Sequence, residues 1–136
     1  MISTAWIIDD DDIYRYGFRK FVTNKVLCKN LFDFGNTSDA IDTLTNLQEA
    51  LNLPDVIFLS VDMENMGCWK FMNAFEIFKA QRSFKKIAIY LVTSSINYLD
   101  IERGHDHPDI TDYMIKPLNS QQFIHAFEDS FLTKTA

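Results

Sequence analysis

The chain is poor in the residues that punctuate or cross-link a fold. Its 136 residues include only two Cys, three Pro and four Gly. Two thiols, Cys28 and Cys68, are too few and too far apart for a disulfide scaffold or a zinc site. They read as buried thiols in a reducing compartment. No low-complexity linker and no internal repeat interrupts the sequence, so 1–136 reads as a single domain. No apolar run approaches the ~20 residues of a membrane span. Met1-Ile2-Ser3-Thr4 runs into an apolar stretch with no basic region before it, so no signal peptide is expected and the expected location is cytoplasmic. Basic charge is also in deficit. Thirteen Lys and Arg against 19 Asp and Glu leave a net charge of −6. That field repels phosphate backbones and anionic headgroups, so neither nucleic acid nor membrane is expected as a partner.

What the chain does have is apolar material and a regular rhythm. It is 47% hydrophobic and 24% charged, which suits a folded core, and its 12 Phe are expected to supply much of it. Short apolar runs alternate with longer amphipathic ones. Ala5–Ile8, Val26–Phe34, Val56–Leu59, Ile87–Val92 and Thr111–Ile115 read as strands. Ile13 to Asn24 carries Tyr14, Gly17, Phe18 and Phe21 at helical spacing. A second helix, capped by Thr37 or Ser38, runs to about Leu51. Trp69 to Ala80 is a third and Tyr98–Gly104 a short fourth candidate. The last starts at Asn119 or Ser120 with Phe123, Ile124, Phe127 and Phe131 inward. Continuously apolar strands alternating with helices imply a parallel sheet covered on both faces. The fold class is α/β, and the length suits a flavodoxin-like (βα)5 unit with strand order 2-1-3-4-5.

In such a sheet, ligands sit beyond the carboxyl ends of the strands, where the strand order reverses. Asp9, Asp10, Asp11 and Asp12 follow the first strand. Ser60, Asp62 and Glu64 follow the third, Thr93, Ser94 and Ser95 the fourth, and Lys116 the fifth. Topology therefore brings carboxylates, a hydroxyl and an ammonium to one crevice. Crowded carboxylates favour a hard divalent cation such as Mg²⁺. The hydroxyl and the ammonium suit phosphoryl oxygens. Asp11 and Asp12 read more simply as a solvated cluster at a helix start.

Ile7-Ile8-Asp9-Asp10-Asp11, Pro54-Asp55-Val56-Ile57-Phe58-Leu59, Met63 with Met66, Leu91-Val92-Thr93-Ser94 and Asp112-Tyr113-Met114-Ile115-Lys116-Pro117 follow one another at telling intervals. Together they resemble the receiver domain of two-component response regulators, of the single-domain chemotaxis-regulator kind. The resemblance implies phosphorelay signal transduction by protein contacts rather than enzyme catalysis. It implies a Mg²⁺ site at Asp9 and Asp10, a switch hydroxyl at Thr93, a switch aromatic at Tyr113, a phosphate-binding Lys116 and a cis peptide before Pro117. Its implied partner is a sensor histidine kinase or phosphotransfer protein, with dimerisation through the fourth helix, fifth strand and fifth helix, and no output domain.

The central position departs from that pattern. Ser60 stands where the family carries the aspartate that accepts the phosphoryl group, Glu64 stands where it carries Pro, and Cys68 takes the place of its usual small residue. A serine monoester lacks the lability of an acyl phosphate, and no base is evident to activate the hydroxyl. Losing a carboxylate also weakens Mg²⁺ binding, although Asp62 offers a replacement charge. The reading is thus an atypical receiver. The alternative is a haloacid-dehalogenase-type phosphatase, which Ile8-Asp9-Asp10-Asp11-Asp12-Ile13 also resembles, with Asp9 as nucleophile and Asp11 as acid/base. A pure scaffold with a remnant crevice is the third. His105-Asp106-His107 reads as a solvated loop rather than a metal site, and His125 as a helix-surface residue.

Overall fold

Period-two side-chain alternation divides the strands between two cores. In the computed structural model, which describes residues 2–46, 53–64, 67–81, 86–94, 107–116 and 120–135, the strands are β1 (Ile2–Ile8), β2 (Cys28–Phe34), β3 (Val56–Ser60), β4 (Ala88–Thr93) and β5 (Asp112–Ile115). They form one sheet in the order β2-β1-β3-β4-β5, with every pair parallel. The helices are α1 (Asp12–Lys25), α2 (Thr37–Asn46), α3 (Gly67–Gln81) and a last helix, Ser120–Thr135. The Tyr98–Gly104 candidate and Pro117 lie outside the described residues.

Successive strand residues point to opposite faces. Trp6, Ile8, Ile57, Leu59, Ile89 and Leu91 pack with α2 and α3, against Leu44, Phe71, Met72 and Phe75. Ala5, Ile7, Val56, Phe58, Tyr90 and Val92 pack with α1 and the last helix, against Phe18, Val22, Phe123 and Phe127. Phe58 is the hub of this second core. Its ring lies 5.1 to 6.0 Å from those of Phe18, Tyr90, Phe123 and Phe127. Burial on both faces explains why β3 reads as an unbroken apolar run. No helix among the described residues is long and apolar enough to cross a membrane.

Several local expectations need correction. Not every Phe is core, since Phe32 on the edge strand β2 is 50% exposed. An edge strand has only one paired flank, so its side chains are less completely covered. Gly17, at helical spacing with Tyr14, Phe18 and Phe21, is exposed, and a Cβ there would meet nothing within 4 Å. Cys68 is buried but Cys28 only half-buried, and burial pushes the Cys28 thiol above its ordinary range.

β2 also begins later than Val26. That residue is the C-cap of α1 and adopts φ 53°, with its N–H donating to Thr23 O and Val22 O. The turn stops the helix and aims the chain into β2. Left-handed backbone is costly for a residue with a branched Cβ and easy for glycine. Val26 is largely exposed, so little packing is lost on truncation. Val26→Gly is expected to raise stability by about 1 kcal/mol, read as a higher urea midpoint with an unchanged slope.

Candidate functional site

The first loop builds outward from Asp9, the residue after β1. Its backbone N–H donates to Phe34 O at 3.0 Å, so the end of β1 stays tied to β2. Asp11 then caps α1, its Oδ1 accepting from Ile13 N at 3.0 Å and Tyr14 N at 3.1 Å. That satisfies two of the unpaired donors of the first turn. Asp12 pairs with Arg15, whose guanidinium also donates to the carbonyl of Asp9 at 2.6 Å. Asp11 and Asp12 are thus exposed, helix-starting groups. Arg15, which spacing did not single out, braces the loop from below.

Asp9 itself is only 2% exposed. Its Oδ1 accepts from Asp11 N at 3.0 Å, and its Oδ2 lies 2.8 Å from the Lys116 ammonium. Lys116 is placed by the sheet. Its backbone N–H donates to Thr93 O at 2.7 Å, extending the β4–β5 pairing by one residue. The ammonium also lies 3.9 Å from the centroid of the Tyr14 ring, a cation–π contact shielded from bulk water. Tyr14, like Arg15, is a site residue that helical spacing does not single out. Its position in the first turn of α1, beside the aspartate run, was the available signal.

Ser60 ends β3, is 2% exposed, and its Oγ accepts from Asp62 N at 3.2 Å. Thr93 ends β4 and is also buried. Its Oγ1 donates to Asp62 Oδ1 at 2.9 Å, and Ser94 N donates to Asp62 Oδ2 at 2.6 Å. Tyr113 on β5 is half-buried and packs against the α2–α3 core. Asp10 is exposed and lines an adjoining cleft with Asn36, Glu64 and Lys70. The described structure therefore brings Asp9 to Lys116 and Asp62 to Thr93, while Asp10 faces solvent.

This donor set suits a Mg²⁺ ion poorly. Magnesium demands near-octahedral oxygen geometry. Both Asp9 oxygens are engaged, one by a cation, the Asp62 carboxylate is turned to β4, and Ser60 offers only a hydroxyl. Elsewhere, Glu76, His107 and Asp109 gather ligand atoms within 4.8 Å of one another. They already satisfy each other. His107 Nε2 lies 2.7 Å from Glu76 Oε1, its Nδ1 accepts from Asp109 N at 3.2 Å, and Asp109 pairs with Lys79. A lysine within the cluster repels a cation. His105 and Asp106 lie outside the described residues. His125 is exposed and pairs one helical turn on with Asp129.

No protein-family model matches the sequence, and no curated protein matches it. Solved structures do. A two-component response regulator from Cytophaga hutchinsonii superposes with a TM-score of 0.83 at 20% identity, covering 96% of this chain and 98% of that one. A response regulator receiver protein from Dyadobacter fermentans gives 0.77 at 23% identity, covering 95% and 98%. The signal receiver domain of an HD domain-containing protein from Pseudomonas fluorescens gives 0.80 at 12% identity over the full length of both. The chain has the fold of response regulator receiver domains.

The pair and the ring beneath the ammonium set two expectations. Lys116→Met leaves the Asp9 carboxylate buried and unpaired, a change that costs about 3–5 kcal/mol. The double variant Asp9→Asn/Lys116→Met should recover most of that in urea melts. Burial first, and then the Asp9 charge, push the Tyr14 phenol above its ordinary range. The unfolded chain therefore ionises first. Stability that is complete below about pH 10 is lost as pH climbs from there toward the folded-state value. Tyr14 Oη is buried without a partner among the described residues. Tyr14→Phe should be neutral or slightly stabilising at pH 7 and should flatten the alkaline loss, as melts at the two pH values would show.

Proposed function

We propose that the protein is an atypical receiver module of two-component phosphorelay signalling, working in the cytoplasm through protein contacts rather than as an enzyme, with 1–136 as one domain. The observation that carries this is Ser60. A buried hydroxyl ends β3 beside the Asp9–Lys116 pair, where phosphoryl transfer in this fold would need a carboxylate. No described side chain contacts Ser60 as a base, and its Oγ already accepts from Asp62 N. A hydroxyl near neutral pH is a poor nucleophile without an adjacent base.

The proposed partners are a sensor histidine kinase, a phosphotransfer protein or another signalling protein. A second copy of the chain is also proposed, through the surface that includes β5, Tyr113 and the last helix. Thr93 and Lys116 supply the hydroxyl and ammonium of the switch site. Any Mg²⁺ held by Asp9, Asp10 or Asp62 is weak, for the reasons of donor geometry given above. The net charge of −6 supports the absence of nucleic-acid binding. The phosphatase alternative needs Asp11 as its acid/base, and Asp11 is committed to capping α1.

Incubation with a small phosphodonor and Mg²⁺, followed by intact mass spectrometry, tests the reading. The wild-type chain should acquire no acid-labile adduct. Ser60→Asp adds an acyl acceptor and one charge to the crevice. It should tighten Mg²⁺ and take up a labile phosphoryl group, slowed by the nearby charge of Glu64. Rapid labelling of the wild-type chain at Asp62 or Asp10 would show that the acceptor is misassigned. Turnover of an aryl phosphate would favour the phosphatase.

A further inference from the structure

The Asp62 carboxylate has an arrangement that the signalling reading does not require. It lies in the loop after β3, and two bonds aim it. Val61 N donates to Val92 O at 2.8 Å, holding the loop against β4. Asp62 N donates to Ser60 Oγ at 3.2 Å, closing the turn that follows β3. The side chain then spans to the end of β4, where its two oxygens accept from two different donors. Thr93 gives a hydroxyl at 2.9 Å and Ser94 a backbone N–H at 2.6 Å. A hydroxyl and a backbone N–H converging on the oxygens of one anion are the chemistry that holds a phosphate-type oxyanion.

We propose that Thr93 Oγ–H and Ser94 N–H form an oxyanion site occupied by the chain's own Asp62 carboxylate, for which an external phosphate-type oxyanion must compete. The carboxylate clasps the β3 loop to the end of β4 with no added group. The β4 end is therefore set by the sequence rather than by modification. Charge-assisted bonds to a fixed pair of donors are stronger than neutral ones. The internal anion also has no translational freedom to lose, whereas free phosphate does. The clasp stands on geometry alone. Its regulatory meaning, a switch site held in one state without phosphorylation, rests on the signalling reading above.

Amide NMR of the wild-type chain, Asp62→Asn and Asp62→Ala, each titrated with inorganic phosphate, tests the proposal. Asp62 is exposed, so neither variant opens a cavity in the core, and unchanged spectra across β1 and β3 report an intact fold. In wild type the Ser94 amide should be downfield and protected from exchange, and phosphate should not move it. In Asp62→Ala that shift and protection should be lost. Phosphate should restore them with at least about tenfold higher affinity than wild type shows, the scale of one charge-assisted bond. Asp62→Asn, which keeps an acceptor but not the charge, should fall between. A Ser94 amide indifferent to all three residues would overturn the clasp. A clasp that opens yet admits no phosphate would overturn the oxyanion site. Neither result depends on phosphodonor chemistry at Ser60→Asp, so failure here and failure of the signalling reading are told apart.

Discussion

The ion pair between Asp9 and Lys116 joins residues from opposite ends of the chain. Their side chains are 3% and 15% exposed and lie 2.8 Å apart. β3 and β4 lie between β1 and β5 in the sheet, so the pair ties the two flanking strand ends together across the carboxyl edge. A buried charge is tolerated only when it is paired and hydrogen-bonded. Here the neighbours meet that requirement jointly, with Asp11 N–H on the carboxylate and the Tyr14 ring under the ammonium. The position of α1, which carries Tyr14 and is capped by Asp11, is thereby tied to the end of β5.

Two carboxylates share the crevice without occupying the same role. Asp9 is neutralised by a cation, while Asp62 is held by neutral donors at the end of β4. The separation matters chemically. Two carboxylates facing each other without a cation would repel, and a divalent ion would be the natural remedy. With each directed to its own partners, neither carboxylate is left facing the other. Ser60, buried at the end of β3, brings a neutral hydroxyl to the same edge and adds no third charge to it.

The sheet order was legible because burial leaves a plain mark on sequence. Val56-Ile57-Phe58-Leu59 and Ile87–Val92 are apolar at every position, as strands covered on both faces must be, and the intervening segments have helical spacing. The departures came where local context overrides pattern. Val26 is β-branched and looks like strand, yet serves as a left-handed cap. Phe32 looks like core, yet lies on an edge strand. Gly17 shares the helical spacing of Phe18 and Phe21, yet faces solvent.

The topology is written in the apolar pattern of the chain, and with it which polar residues follow which strand. Asp9, Ser60, Thr93 and Lys116 share one edge because parallel strands all present their carboxyl ends to the same side. The pairings within that edge emerge only once the chain is folded. Lys116 goes to Asp9 and lies over Tyr14, Asp62 goes to Thr93 and Ser94, and Asp10 goes to solvent. Periodicity specifies the direction of a backbone and the face of a side chain, with a tolerance of a residue or so. Hydrogen bonds and ion pairs are settled within a few tenths of an ångström, by loop turns such as the Ser60–Asp62 bond that no spacing rule encodes.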